Sequence, residues 1–175
     1  MIKAEDHGAV IHTRMCQGRK KGRFYQYKMY KFRTMKMYAD NLEKWLTPQQ
    51  IEQYKNELKV DHDPRITRVG KFIRKWSIDE LPQLLSILKG DMTFIGPRPV
   101  TKEELAHYGD DAYLMLNVKP GLTGYWQVNG RSNCTYESGK RQQLELFYAK
   151  NQCFVLDLRI LFKTFWVVLI RRGAK

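Results

Sequence analysis

The sequence predicts an α+β fold: a helix-rich single domain with a small β-sheet and amphipathic helices suited to a membrane surface. Three observations predict it. Leu81, Leu84, Leu85 and Leu88 fall at i, i+3, i+4 and i+7, the spacing of one apolar helix face. The run RFYQYKMYKFRTM (23–35) sets Phe24, Tyr30 and Phe32 against Lys31 and Arg33, an alternation with the period of a strand. Between Phe154 and Ile170 only Asp157, Arg159, Lys163 and Thr164 are polar, which predicts a strongly apolar C-terminal helix.

The remaining elements follow in chain order. Residues 37–59 read as helical with a break at Thr47-Pro48, where Thr47 can cap and Pro48 can occupy the first helical position. This stretch is polar on most faces, so 37–60 is expected to be a peripheral insertion. Asp61–Pro64 reads as a turn and 66–76 as a short basic helix. The Leu-striped helix spans 79–89 and stops at Lys89-Gly90. MTFIG (92–96) predicts a short strand, and the prolines flanking Arg98 end it. Residues 102–116 are expected to be helical, KPGLTG (119–124) a turn and YWQVNG (125–130) a short strand. Helices over 136–150 and 154–171 close the chain.

Length and composition bound the function. A chain of 175 residues is one domain and buries about 70% of its unfolded surface. With 43% hydrophobic and 13% aromatic residues it is not a disordered chain. Cys16, Cys134 and Cys153 form no disulfide framework. The four histidines (7, 12, 62, 107) have no zinc-ligand spacing. No uncharged apolar run approaches the ~18 residues of a membrane-spanning helix. The opening MIKAEDHGAV is too polar for a signal peptide, which predicts a non-secreted chain.

The net charge is +13, from 31 Lys and Arg against 18 Asp and Glu, and it is unevenly placed. Residues 1–36 hold ten of the cations and two acids. Such a field suits a polyanion: nucleic acid, anionic lipid or a nucleoside diphosphate. The interleaved aromatics at 24–33 resemble a base-stacking platform, but no helix-turn-helix, zinc finger or RNP motif is present.

Two constellations could carry chemistry. Ser77-Ile78-Asp79-Glu80 opens the Leu-striped helix and can be read as a capping box. Pro82 fits better if Asp79 is the cap, because the third helical residue needs no N–H. Asp79 would then sit at the positive helix end, kept ionised, and could attack phosphorus, while Glu80 could hold a hard cation such as Mg2+. The second is a set of cations beside glycine and proline: Lys31, Arg33, Arg74, Arg98, Lys119 and Arg131. Singly each is a solvated surface charge; together they would make an anion site around the carboxylates. No Walker A or GxGxxG motif occurs. The C-terminal helix is either a core helix or one lying in a membrane surface, and its Phe and Trp residues favour the second.

The stretches YKFRTM (30–35), RVGKFIRKWSIDELPQLLSILKGDMTFIGPRP (68–99), KPGLTGYWQVNGR (119–131) and LDLRILFKTFWVVLIRRGA (156–174) occur together in this order. In them the sequence resembles the bacterial sugar transferase family, the monotopic polyprenyl-phosphate phosphoglycosyl transferases, over almost the whole chain. The resemblance implies one catalytic domain over 1–175. It implies transfer of a sugar-1-phosphate from a UDP-sugar to polyprenyl (undecaprenyl) phosphate, with UMP released, at the start of exopolysaccharide, capsule, O-antigen or glycoprotein glycan synthesis. It further implies Asp79 as the nucleophile, Glu80 as the Mg2+ ligand, and Arg74 and Arg98 as phosphate or structural contacts. The implied place is the cytoplasmic face of the bacterial inner membrane, on an anionic surface, with no nucleic acid partner expected. Family members carry a hydrophobic helix ahead of the region matching GAVIHT. A membrane-embedded segment or subunit outside these 175 residues is therefore an implied partner. The alternative is a catalytically idle relative, a basic module for membranes or nucleic acid.

Overall fold

The computed structural model describes residues 2–130, 134 and 136–169. A short helix, α1 (Ile2–Asp6), leads into the strands β1 (Ile11–Lys20) and β2 (Arg23–Phe32). These pair antiparallel in unbroken register, from Ile11 opposite Phe32 to Lys20 opposite Arg23. Lys21 and Gly22 link them at φ of 50° and 79°, the two positive values a tight I′ hairpin turn requires. Cys16, Tyr27 and Met29 lie buried on one face of this hairpin with Met92. Gln17 N–H donates to the Val100 carbonyl (2.8 Å), tying the hairpin to the second half of the chain.

The polar excursion forms α2 (Leu42–Trp45) and α3 (Pro48–Glu57). Thr47 and Gln50 make a reciprocal capping box, with Pro48 at the first turn. Neither helix contributes a buried residue. The excursion is clasped by a buried ion pair, Arg65 Nη2 to Asp63 Oδ2 at 2.7 Å. Arg65 also donates to the Ala39 carbonyl (3.1 Å) and lies 5.0 Å over the Tyr54 ring.

Next comes α4 (Arg68–Lys75), capped by Thr67, whose Oγ1 accepts from Gly70 N–H at 2.8 Å. A 3-10 turn (Ile78–Gln83) runs into α5 (Leu84–Leu88), and β3 (Thr93–Ile95) follows. Then come α6 (Lys102–Ala106), a 3-10 turn (Gly109–Asp111), α7 (Ala112–Leu116) and β4 (Gly121–Thr123). The chain closes with α8 (Tyr125–Asn129), α9 (Lys140–Asn151) and α10 (Phe154–Leu169). β3 and β4 are parallel, Thr93 beside Gly121 and Ile95 beside Thr123. Two further apolar clusters fill this half, one around Val100, Tyr108, Met115 and Tyr136, the other around Val128, Tyr148 and Ile160.

The α+β expectation holds, with two two-stranded sheets among the described residues in place of one. Several local readings are corrected. YWQVNG is helical, not a strand: Gly124 and Trp126 carbonyls accept from Val128 and Gly130 N–H, and tertiary packing overrides the aromatic and β-branched propensity. The expected turn at 119–124 contains β4, because its backbone pairs with a distant partner. Residues 102–116 divide into α6, a 3-10 turn and α7. The expected 79–89 helix is a 3-10 turn followed by one α-helical segment, with Pro82 inside the 3-10 part. Its leucines do not face a core: Leu81, Leu84, Leu85 and Leu88 are all exposed, Leu88 at 84%. β1 has no counterpart among the sequence expectations: IHTRMCQGRK has no clean alternation of its own, and its strand is defined by pairing with β2.

Close backbone contacts fix the fold around two segments. A Cβ at Gly70 would lie 2.0 Å from the Thr34 carbonyl oxygen, so only glycine lets α4 settle on the chain leaving β2. Gly96, Gly121 and Gly124 meet in the same way, and a Cβ on Gly124 would lie 2.0 Å from the Gly96 carbonyl oxygen. Gly70→Ala is expected to lower stability by about 3 kcal/mol, through backbone displacement of the kind overpacking forces. Urea unfolding of the variant measures it.

Candidate active site

The 3-10 turn that carries Asp79 and Glu80 begins at Ser77, which has φ of 55°, in the left-handed region. Ser77 makes no side-chain cap, and Asp79 lies in the first turn instead of at the cap. Both sequence registers for capping are thereby replaced. The left-handed residue reverses the chain after α4 and lays the turn against β2. Asp79 and Glu80 are half-buried there.

β2 supplies Lys31, whose Nζ donates to Glu80 Oε1 at 2.8 Å. α4 supplies Arg74, whose Nε donates to Thr34 Oγ1 at 2.9 Å. Burial pushes the Asp79 carboxyl above its ordinary range, and adjacent Glu80 adds to this, while Lys31 and Arg74 pull it back. The expected helix-end stabilisation is therefore outweighed by desolvation. Burial lowers the Arg74 pKa, against the opposing pull of Asp79 and Asp63.

Arg98 enters from the Pro-Arg-Pro segment. Burial would lower its pKa, but Glu104, Glu80 and Glu145 surround it and leave it raised, a firm cation. Its guanidinium lies 5.9 Å over the Trp126 ring, and its Nε is buried with no hydrogen-bond partner. Lys31, Glu80, Gln83, Arg98, Leu122 and Gln127 line one narrow cleft. Cations from three separate elements thus converge on the carboxylate pair, an arrangement suited to phosphate groups.

Two predicted cations are not brought into this cluster. Arg33 lies beyond the end of β2, so strand alternation does not carry it to the face of Lys31. Its Nε donates to the Ala9 carbonyl (2.6 Å) and its Nη1 to the Met35 carbonyl (3.2 Å), a tie between the α1–β1 link and the β2 exit. Lys119 has an exposed side chain outside the cleft lining. Arg131 lies outside the described residues.

Sequence reasoning missed the groups behind Arg98. Glu145 on α9 is 1% exposed, accepts from the Tyr108 hydroxyl and faces the Arg98 backbone N–H. Burial raises the Glu145 pKa; Arg141, with Nε at 3.8 Å, opposes this. Arg141 is itself packed between the rings of Tyr136 (4.0 Å) and Trp126 (4.3 Å). Glu104 is buried too, closing the α6 capping box and pairing with Arg14 at 3.4 Å. Only the Thr101-x-x-Glu104 spacing was a local signal for any of these. Gln83 and Gln127 carried none.

Residues 1–171 match the model of the bacterial sugar transferase family, and the chain belongs to that family. It is 44% identical over 172 residues to the undecaprenyl-phosphate galactose phosphotransferase of Salmonella typhimurium, covering 97% of this chain and 35% of that protein. It is 39% identical over 177 residues to the exopolysaccharide production protein ExoY of Rhizobium meliloti, covering 99% of this chain and 76% of that protein. A UDP-N-acetylgalactosamine-undecaprenyl-phosphate N-acetylgalactosaminephosphotransferase of Aeromonas hydrophila is 34% identical over 181 residues, 39% of its own length. The chain thus spans about a third of the length of several curated relatives that it matches.

Lys31 is one of the charges that hold the Asp79 carboxyl down. Lys31→Met is expected to move the Asp79 midpoint further upward, since removing an opposite charge disfavours the carboxylate. Carboxyl 13C titration by NMR, wild type against variant, reads the shift directly.

Proposed function

We propose that the chain transfers a sugar-1-phosphate from a UDP-sugar to polyprenyl (undecaprenyl) phosphate and releases UMP, through a phosphoglycosyl-aspartate. The observation that carries this reading is the half-buried Asp79-Glu80 pair faced by Lys31, Arg74 and Arg98. It occurs in a chain similar along nearly its whole length to a phosphotransferase named for undecaprenyl phosphate.

In the first half-reaction an Asp79 carboxylate oxygen bonds to the phosphorus that bears the sugar. The bond from that phosphorus to the bridging oxygen of the diphosphate breaks, and UMP departs with the oxygen. In the second, a phosphate oxygen of polyprenyl phosphate attacks the same phosphorus. Asp79 is released as a carboxylate, and a polyprenyl diphosphate sugar leaves. No proton transfer is required in either half.

Lys31, Arg74 and Arg98 hold the charged phosphoryl groups close to an anionic nucleophile. Burial raises the Asp79 pKa, so less solvent must be stripped from it before attack. Among the described residues no group of three or more His, Cys, Asp or Glu could by itself enclose a metal ion. A pair of carboxylates with substrate phosphate oxygens is nevertheless the donor set that Mg2+ accepts. Glu80 would hold it there, and bound Mg2+ would neutralise charge on the phosphate oxygens.

The acceptor is a lipid, and the exposed apolar faces suit its surroundings. Besides the α5 leucines, Phe72 on α4 and Trp76 at its C-cap are exposed. Along α10, Phe154, Phe162, Phe165 and Trp166 are exposed while Ile160 and Val167 are buried, so this helix serves the core on one side and presents aromatics on the other. Among the described residues no helix is long and apolar enough to cross a membrane. We place these faces on the cytoplasmic surface of the bacterial inner membrane, with the basic residues toward anionic headgroups. The product would start an exopolysaccharide, capsule or related glycan.

Incubation with UDP-sugars and Mg2+ in the absence of lipid is expected to add one phospho-sugar to the intact mass. Asp79→Asn should gain nothing, and EDTA should prevent the gain until Mg2+ is restored. A full mass gain in Asp79→Asn would remove Asp79 as the nucleophile. For the membrane faces, Leu85→Gln with Leu88→Gln should reduce co-sedimentation with anionic liposomes several-fold. Unchanged co-sedimentation would mean that this face does not touch lipid.

A further inference from the structure

The cleft beside the carboxylate pair contains two polar atoms with complementary needs. Arg98 Nε is a buried donor with no hydrogen-bond partner, and Gln127 Oε1 is a buried acceptor with none. Both side chains line the same cleft as Lys31 and Glu80. A buried polar atom left unmatched destabilises a fold, so such atoms in a cleft point to a ligand that completes them.

The backbone that carries Gln127 is held in place. Its helix α8 starts at Gly124, where a Cβ would lie 2.9 Å from Gln127 Oε1 and 2.0 Å from the Gly96 carbonyl oxygen. The glycine therefore leaves room for the amide beside the segment that carries Arg98. Parallel pairing of β3 with β4 fixes these two segments side by side. Gly121 N–H to the Pro97 carbonyl (2.8 Å) and Gly96 N–H to the Thr123 carbonyl (2.9 Å) lock them.

The cleft is narrow, with about 10 Å3 of accessible space, the volume of one water-sized group. It admits a phosphoryl oxygen or a hydroxyl from a ligand lying across its mouth, and no ring. An acceptor at Arg98 next to a donor at Gln127 is the pattern of a phosphate ester that carries a hydroxylated ring.

We propose that Gln127 is a binding residue for the nucleotide sugar, its Oε1 accepting a hydrogen bond from a hydroxyl of the donor whose phosphoryl group lies against Arg98. The inference rests on the transfer reaction proposed above. The hydroxyl belongs either to the hexose or to the ribose, and the two are separable by experiment.

The test compares the full chain with Gln127→Met, which keeps the side-chain length and removes the acceptor. The substrates are UDP-sugars and their analogues lacking single hydroxyls on the hexose or on the ribose. Wild type is expected to prefer the parent donor over one deoxy analogue by about tenfold in kcat/KM, the scale of one neutral hydrogen bond. Gln127→Met should lose that preference at that position alone. Loss at a hexose position identifies the sugar hydroxyl, and loss at a ribose position identifies the nucleoside. A loss of packing would slow all donors alike and leave the preferences standing. Gln127→Ala repeats the comparison should the Met variant fail to fold. Preferences unchanged in a folded, active variant overturn the role of Gln127 and leave the reaction standing. Wild-type protein that accepts no UDP-sugar overturns the reaction and this inference with it.

Discussion

Two adjacent carboxylates can stay half out of water only where cations face them. That electrostatic constraint organises this protein. Asp79 and Glu80 follow one another on a 3-10 turn, and burial alone would favour protonating Asp79. Lys31 must come from the far end of a ten-residue strand, and Arg74 from the helix before the turn. The left-handed Ser77, the glycine at 70 and the hairpin register are the backbone conditions under which those charges meet.

The third cation depends on the other half of the chain. Arg98 stands on a proline-stiffened segment, and glycines at 96, 121 and 124 allow that segment to lie directly on its neighbour. Behind it sits a buried polar cluster in which Glu145 takes the Tyr108 hydroxyl and pairs with Arg141, and aromatic rings enclose Arg141. Such a cluster is costly to desolvate and strongly destabilising to break, which makes it a rigid mount. The hydrogen bond from Gln17 to Val100 joins this mount to the hairpin that carries Lys31.

The hydrophobic material is divided in an unusual way. Small clusters under the hairpin and between the C-terminal helices hold the fold together, while leucines on α5 and aromatics on α10 remain outside. A helical stripe is ordinarily the signature of a core face. Here the same periodicity marks a surface, and an exposed apolar face of that kind calls for a nonaqueous neighbour. In the transfer proposed above, a lipid acceptor and an apolar surface are the same requirement seen from two sides.

The sequence by itself determined the elements that local chemistry governs. The Thr47-Pro48 start, the aromatic-basic strand, the basic helix before the dyad and the long apolar helix at the end are each set by capping, period or composition. The motif block from Arg68 to Pro99 named the carboxylates and two of the three cations nearest them. Tertiary structure decided the rest. Whether YWQVNG was strand or helix, whether the leucines faced in or out, and which cations reached the dyad all depend on contacts between residues far apart in sequence. Arg33 and Lys31 look equivalent two residues apart, yet the strand ends between them: Lys31 donates to Glu80, while Arg33 donates to the Ala9 and Met35 carbonyls. Glu145, Arg141 and Gln127 carry no local signal, because a buried polar group is defined by its partners, and only the folded chain supplies those.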